Sequence, residues 1–258
     1  MLDGPVRHSM DAGVRGDGMD VMWAATSAAA GLVAGLALRG EVVRLSVRGG
    51  EPDEAACAAC AAPLPRRLAF LCGNCGRWFG PPLAIEITSA AVIALLLAKF
   101  GGQPAVAAFA YLGVIGVALS QIDLAVQRLP DRLTLPAYPA LVTLLTVAAA
   151  VGDDWAALIR AVLAGLALGG GYLVLSLVSG GQVGGGDVKL AGLAGLVLGW
   201  LSWDTLIIGA FAGFLLAALV SAGLLAARKI TKQSRLSFGP YLLGGALLAT
   251  LATSAVPR

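Results

Sequence analysis

Eight long runs of apolar residues dominate this chain, and they constrain its fold more than any other feature. A helix needs about 20 apolar residues to cross the hydrocarbon of a bilayer. With 58% apolar and only 13% charged residues, the chain has too little polar surface to cover a core in water. The sequence therefore predicts an all-α fold, a polytopic membrane bundle of about eight transmembrane helices. The runs lie at 22–38, 83–98, 104–122, 133–151, 156–178, 188–203, 205–227 and 239–256.

The runs divide the chain into four expected segments. They are a disordered N-terminal tail at 1–21, a first transmembrane helix at 22–38, a cysteine-containing loop at 39–82 and a transmembrane core at 83–258. The sixth run is short, and only Ser202, Trp203 and Asp204 interrupt the apolar sequence at its junction with the seventh. Seven helices, one of them long and bent, are therefore an alternative to eight.

Lysine and arginine residues predict how the chain is oriented. If the N-terminus lies outside, most of the 18 lysines and arginines fall on the inner side, as the positive-inside rule requires. Both termini are then outside an inner (plasma) membrane, and the loop 39–82 is cytoplasmic. The net charge of +3 reflects this topology, so the bilayer is the expected partner and nucleic acid is not.

All four cysteines lie in the loop 39–82, as two C-x-x-C pairs. Cys57 and Cys60 form the first pair, and Cys72 and Cys75 form the second. Two such pairs can hold one Zn²⁺ tetrahedrally with no open position, and a reducing cytoplasm disfavours disulfides. The linker between the pairs is shorter than in most zinc ribbons, as a tight hairpin would allow. The pattern predicts a structural zinc site in a small zinc-ribbon-like loop; four thiols without a metal are the alternative.

Three acidic residues lie at the predicted inner ends of apolar runs, where an ionisable side chain is costly and indicates function. Asp123 ends the third run, Asp187 opens the sixth, and Glu86 lies in the first turn of the second. Two aspartates at one depth favour an acid–base pair that shares a proton. The ionised member would take a proton from water, and the protonated member would donate to the scissile carbonyl oxygen. This pattern predicts peptide hydrolysis.

Glycines 184–186 precede Asp187 and would let a substrate backbone approach closely. We expect valine at Gly186 to impair catalysis, and alanine at Gly195, deeper in the same run, to matter less. Simpler interpretations remain for the same residues. Asp123 could be a helix-end carboxylate in headgroup water, and Asp187 a helix N-cap. Lys189 is either an anchor at the inner interface or a charge that acts on a nearby carboxylate.

Together these features resemble the prepilin (type IV leader) peptidases, which are intramembrane aspartic peptidases of the G-x-G-D group. Besides the four-cysteine loop, the resemblance rests on Ile122-Asp123-Leu124, on the stretch from Gly184 to Leu190 and on Phe238-Gly239-Pro240-Tyr241. It implies that Asp123 and Asp187 are the catalytic pair. The implied reaction removes the basic leader of type IV prepilins or pseudopilins at the cytoplasmic membrane face.

The same resemblance implies a second activity. Many members of the family methylate the new N-terminus with S-adenosylmethionine, and the cysteine loop is associated with that activity. Glu86 aligns with an acidic position that is common in the family. This implies either a role in binding the methyl donor or substrate, or a buried structural carboxylate.

Two other functions are compatible with intramembrane carboxylates. A different G-x-G-D peptidase would cut ordinary transmembrane segments, but the cysteine loop and residues 238–241 argue against it. A small proton- or cation-coupled transporter would place its carboxylates in broken helices of two inverted repeats. The cysteine loop has no counterpart in the second half of the chain, which argues against such repeats.

Overall fold

A computed structural model describes residues 10–46, 57, 59–60, 62, 72–76, 84–180, 183–228 and 237–253, with the backbone alone at 10–25, 27 and 28. Eight α-helices contain most of these residues, and the described part of the chain contains no β-strand. This confirms the all-α fold. The helices are α1 (Met10–Leu45), α2 (Ala84–Phe100), α3 (Val106–Val126), α4 (Asp131–Gly152), α5 (Trp155–Val178), α6 (Gly185–Leu201), α7 (Trp203–Ala226) and α8 (Gly239–Ala252).

Four helices are long and apolar enough to cross a membrane, namely α3, α4, α5 and α7, and α8 is a shorter apolar helix. Large apolar side chains on these helices point outward. Val178 is 81% exposed and Phe211 is 68% exposed. An apolar surface of this extent is unfavourable in water and is typical of helices that face lipid. The architecture is therefore a membrane-embedded helical bundle.

Ser202 separates α6 from α7, so the alternative with one bent helix is wrong. Its backbone is extended, with φ −171° and ψ 166°. Its hydroxyl oxygen accepts a hydrogen bond from the backbone N–H of Thr205 at 2.9 Å. Serine is a favoured N-cap because it satisfies one of the free N–H groups of a helix start.

The first helix is longer than the sequence predicts. α1 begins at Met10, inside the stretch 1–21 for which disorder is expected, and continues past residue 38 to Leu45. Propagating an existing helix adds one hydrogen bond for each ordered residue and avoids the cost of nucleation. Arg39, expected to begin the loop, is therefore helical and is 1% exposed. Residues 1–9 and most of the loop 39–82 lie outside the described residues.

Neighbouring helices approach closely where glycines face them, as is common in membrane bundles. A Cβ atom added to Gly31 of α1 would lie 2.5 Å from the Cα of Ala90 in α2. In α6, a Cβ atom added to Gly195 would lie 2.7 Å from the carbonyl oxygen of Ala164 in α5. Because a backbone atom cannot rotate away, alanine at Gly195 would act through packing, as expected, and its smaller effect on cleavage than that of Gly186→Val stays a prediction. Gly195 is a packing residue of the α5–α6 pair.

Two sets of contacts define opposite ends of the bundle. At one end, the last turn of α3 meets the start of α8 through Asp123 and Gly239; we call this the aspartate end. At the far end, the Lys99 ammonium donates hydrogen bonds to the carbonyl oxygens of Leu251 and Thr253, which joins the end of α2 to the end of α8.

Also at the far end, the Arg160 guanidinium of α5 donates to carbonyl oxygens at the end of α6. The contacts are 2.7 Å to Gly199 and 2.6 Å to Trp200. Cations stabilise helix C-termini, where several carbonyls lack a partner within the helix. At the far end, side-chain hydrogen bonds thus join the ends of neighbouring helices. The candidate catalytic residues lie at the opposite end, the aspartate end.

Candidate active site and metal centre

A polar pocket of about 380 Å³ lies at the aspartate end, and both candidate aspartates line it. Asp123 comes from the last turn of α3 and Asp187 from the first turn of α6. The carboxylate of Asp187 is near enough to Asp123 for a direct electrostatic interaction. The fold therefore brings together two residues that are distant in sequence. The remaining lining residues are Gln127, Arg128, Leu129, Asp131, Gly184, Gly185 and Gly186.

Asp123 is held by the segment that leads into α8. Its side chain is 5% exposed, and its Oδ2 accepts a hydrogen bond from the backbone N–H of Gly239 at 3.1 Å. The Ser237 hydroxyl donates to the backbone carbonyl of Asp123 at 2.8 Å. A Cβ atom at Gly239 would lie 2.9 Å from Oδ2, so a glycine is needed for this approach. The headgroup-water interpretation of Asp123 is wrong, because the carboxylate is buried and bound.

Asp187 is only partly buried and faces the pocket. Its backbone N–H donates to the carbonyl of Gly184 at 3.0 Å. Gly184 is the N-cap of α6, and α6 has no side-chain cap. The N-cap interpretation of Asp187 is therefore wrong, which leaves its carboxylate available to the pocket.

Lys189 forms an ion pair with a nearby carboxylate, which is one of its two expected interpretations, but its partner Asp131 was not named from the sequence. Its Nζ lies 2.5 Å from Oδ1 of Asp131, in the first turn of α4. The Tyr138 hydroxyl of α4 also donates to the carbonyl of Lys189 at 2.7 Å. Both groups of the pair are partly exposed, so the pair itself contributes at most about 1 kcal/mol. Together the two contacts fix α4 beside α6.

Glu86 lies apart from the residues that line this pocket. It is 1% exposed, and its Oε1 accepts a hydrogen bond from Nη1 of Arg39 at 2.8 Å, with Arg39 equally buried. The pair joins α1 to α2 and leaves the Glu86 carboxylate without access to solvent. Of the two implied roles, this geometry favours a buried structural carboxylate. Arg39 was missed as its partner because the sequence placed Arg39 in a loop.

The four cysteines form one compact cluster. All four sulfur atoms lie within 4.8 Å of one another. The Cys57 and Cys75 sulfurs are 3.6 Å apart, and those of Cys60 and Cys72 are 3.4 Å apart. A tetrahedral site with Zn–S bonds of about 2.3 Å has S–S edges of about 3.8 Å. The donor set and its spacing therefore fit a metal ion.

Local hydrogen bonds favour the thiolate form that a metal requires. Backbone N–H groups of Cys75 and Asn74 lower the pKa of Cys72 to about 6. The pKa of Cys57 is also lowered, chiefly by a hydrogen bond from the backbone of Ala59. Each pair thus presents a thiolate-stabilising turn, as C-x-x-C motifs commonly do.

Comparison with known proteins agrees with this geometry. The model of the type IV leader peptidase family matches residues 108–227, a range that contains both pocket aspartates. The chain is 31% identical over 205 residues to the prepilin leader peptidase/N-methyltransferase of Aeromonas hydrophila, covering 78% of this chain and 64% of that protein. It is 30% identical over 187 residues to the protein of the same name from Bacillus subtilis, covering 70% of each.

A third relative of that name, from Dickeya chrysanthemi, is 34% identical over 188 residues, with 69% of this chain and 61% of the relative covered. The chain thus spans less than two thirds of the length of the first curated relatives that it matches. No solved structure matches it significantly. The family model and the Bacillus subtilis relative are sufficient to assign the family: the chain belongs to the type IV leader peptidases.

Proposed function

We propose that this protein is a membrane aspartic endopeptidase that removes the basic leader of type IV prepilins or pseudopilins. The observation that carries the proposal is the convergence of Asp123 and Asp187 on one polar pocket. The names of the curated relatives support the substrate class.

The proposed reaction uses the two carboxyl groups as a pair with one proton between them. The ionised carboxylate takes a proton from water while the water oxygen bonds to the scissile carbonyl carbon. The protonated carboxyl donates its proton to the carbonyl oxygen, which gives a neutral tetrahedral intermediate. Collapse of that intermediate breaks the C–N bond, returns a proton to Asp123 or Asp187 and passes the other to the leaving amine. Glycines 184–186 supply the space for the substrate backbone.

We propose that the cut is made at the cytoplasmic face, with both termini outside. The excess of lysine and arginine on one side supports this orientation. It places the aspartate end and the cysteine cluster on the same, inner side. A prepilin leader is basic and is followed by a hydrophobic helix, so its cleavage point would lie at the depth of this pocket.

We propose that the cysteine cluster holds a structural zinc ion through Cys57, Cys60, Cys72 and Cys75. Four thiolates leave a zinc ion no open position, so its contribution is to fold the loop. Methyl transfer from S-adenosylmethionine to the new N-terminus is a second candidate activity, supported by the names of the relatives and by the assembled cysteine cluster. Mass spectrometry of the cleaved product, with and without S-adenosylmethionine, tests for it.

The proposal is tested by cleavage of a prepilin-like substrate with purified protein in lipid vesicles. We expect Asp123→Asn and Asp187→Asn each to abolish cleavage, because asparagine keeps the size of aspartate but cannot share its proton. Asp204→Asn is the matched control, since Asp204 is exposed at the start of α7 and lies at the far end of the bundle.

Folding is checked by gel filtration of all three variants. Full cleavage by either pocket variant would remove that residue from the catalytic pair. Intact substrate with the wild-type protein would overturn the peptidase proposal. Cleavage within an ordinary transmembrane segment, rather than after the leader, would instead support the other class of G-x-G-D peptidase.

A further inference from the structure

Tyr172 of α5 carries a buried hydroxyl group that no feature of the proposed reaction has used. The side chain is 4% exposed, and its oxygen has no hydrogen-bond partner among the residues that the structure describes. Buried polar groups are paired in the great majority of cases. A buried hydroxyl with no partner among the described residues therefore points to a water molecule or a small side-chain movement that completes its hydrogen bond.

The ring of Tyr172 packs against α7 and the residue that leads into α8. It stacks on Phe214 of α7, with centroids 5.6 Å apart and planes at 23°. It also contacts Phe238, with centroids 5.9 Å apart. Phe238 precedes Gly239, whose N–H binds Asp123. The aromatic contacts thus leave the ring little freedom to move away from the aspartates.

Tyr172 packs in one cluster with Leu190, which is one helical turn after Asp187 and so lies on the same face of α6. The phenol oxygen is within electrostatic range of the Asp187 carboxylate. A tyrosine hydroxyl can donate one hydrogen bond, and a carboxylate is the group nearby that gains most from it.

We infer that Tyr172 is a positioning residue that donates a hydrogen bond to Asp187, directly or through one water molecule, and holds it in the ionised form. Asp187 is then the base that activates water, and Asp123 is the acid. The burial of the two aspartates is consistent with these roles. Asp187 reaches the polar pocket, whereas Asp123 is nearly enclosed and has one oxygen, Oδ1, left to carry the proton while Oδ2 accepts from Gly239.

This inference rests on the proposed peptidase function and adds an assignment of roles to it. Other charged groups near Asp187 do not provide the same contact. Asp131 is paired with Lys189, Arg128 lines the pocket beside Asp131, and Asp123 repels a second negative charge. Gly184 offers the Asp187 carboxylate a backbone N–H, and among the described residues Tyr172 is the neutral side-chain donor in the same surroundings.

The test compares Tyr172→Phe with wild type in steady-state cleavage of a prepilin-like substrate across a range of pH. Phenylalanine keeps the stacked ring and removes only the hydroxyl. We expect kcat to fall about tenfold with KM unchanged, and the acidic limb of the pH–rate profile to move to higher pH by about one unit. Loss of a donor makes the charged carboxylate less favourable, so more alkaline conditions are needed to ionise it.

Tyr111→Phe is the matched control, because Tyr111 is a partly buried tyrosine in α3 several turns from Asp123. It should leave both the rate and the profile unchanged. A Tyr172→Phe variant with wild-type rate and profile overturns the inference. So does a slower variant with an unshifted acidic limb, because it would show that Tyr172 acts through packing alone. Failure of the peptidase function would appear separately, as absence of cleavage by wild type.

Discussion

Gly186 and Leu129 meet at the rim of the aspartate pocket, where even a small side chain on Gly186 would be crowded. A Cβ atom on Gly186 would lie 2.8 Å from the Cβ of Leu129, whereas one on the adjacent Gly185 would meet no atom within 4 Å. The two glycines are adjacent in the chain and lie one and two residues from Asp187. What distinguishes them is the space around each one.

We predict that Gly186→Val slows cleavage by roughly tenfold or more, because overpacking costs about 1–3 kcal/mol and displaces the turn that carries Asp187. Gly185→Ala should slow cleavage less than Gly186→Val, because a Cβ atom on Gly185 meets no atom within 4 Å. The measurement is the initial cleavage rate at matched amounts of folded protein. Equal rates for Gly186→Val and wild type would show that this turn does not shape the site.

The residues of the candidate site were predictable to different degrees. Asp123 and Asp187 could be found because an ionisable group at the end of an apolar run is rarely accidental. The hydrogen bond from the Gly239 N–H to Asp123 could not be predicted, because it depends on how the segment that leads into α8 passes the end of α3. The role of Glu86 was ambiguous until Arg39 was found beside it, and Tyr172 has no distinguishing sequence signal.

At the scale of helices, the buried Arg39–Glu86 pair joins α1 to α2 beside the close contact at Gly35. A Cβ atom on Gly35 would lie 2.8 Å from the Cα of Glu86, so the two helix backbones are nearly in contact there. Close approach excludes water from both charges. Each charge therefore depends on the other for its solvation.

We predict that Glu86→Ala destabilises the protein by about 3–5 kcal/mol, because it removes the carboxylate that pairs with the buried Arg39 charge. Glu41→Ala is the matched control. Glu41 lies in α1 and is 50% exposed, 3.5 Å from Arg44, and such surface pairs contribute about 1 kcal/mol or less. Thermal unfolding in one detergent measures both. Similar midpoints for the two variants would mean that the buried pair is not needed for stability.

Helix positions were largely predictable because an apolar run and a transmembrane helix have the same length. Eight runs became eight helices. The ends of α1 were not predictable, since polar residues join a helix that its apolar centre has already nucleated. The close contact at Gly195 was not predictable, because sequence alone does not reveal which glycines face another backbone.

At the scale of the whole molecule, the cysteine cluster belongs to the segment between α1 and α2, whereas α3 and α6 carry the pocket aspartates. We predict that purified protein contains zinc at neutral pH and binds it progressively more weakly as the pH falls below about 6, the pKa of the metal-free Cys72 thiol, because protons then compete with the metal for the thiolate. Cys72→Ser should lose the metal at neutral pH as well, while α2 to α8 remain inserted. Metal analysis across pH provides the measurement.

A metal-free wild type with four reactive thiols at neutral pH would contradict the zinc assignment. The same cysteines report the orientation of the chain. After chelation in intact cells, a membrane-permeant maleimide should label them and an impermeant one should not. Labelling by the impermeant reagent would place the cluster, and with it the aspartate end, outside.

The contacts of Lys99 and Arg160 have a mechanical consequence. They fasten α2 to α8 and α5 to α6 at the far end of the bundle, by side chains that bind main-chain oxygens and so tolerate little sliding. The aspartate pocket, by contrast, is bordered by glycines and by the exposed Asp131–Lys189 pair. The far end of the bundle is thus fastened by contacts between side chains and main-chain oxygens. Helices that part to admit a peptide would pivot about the far end and separate most at the two aspartates.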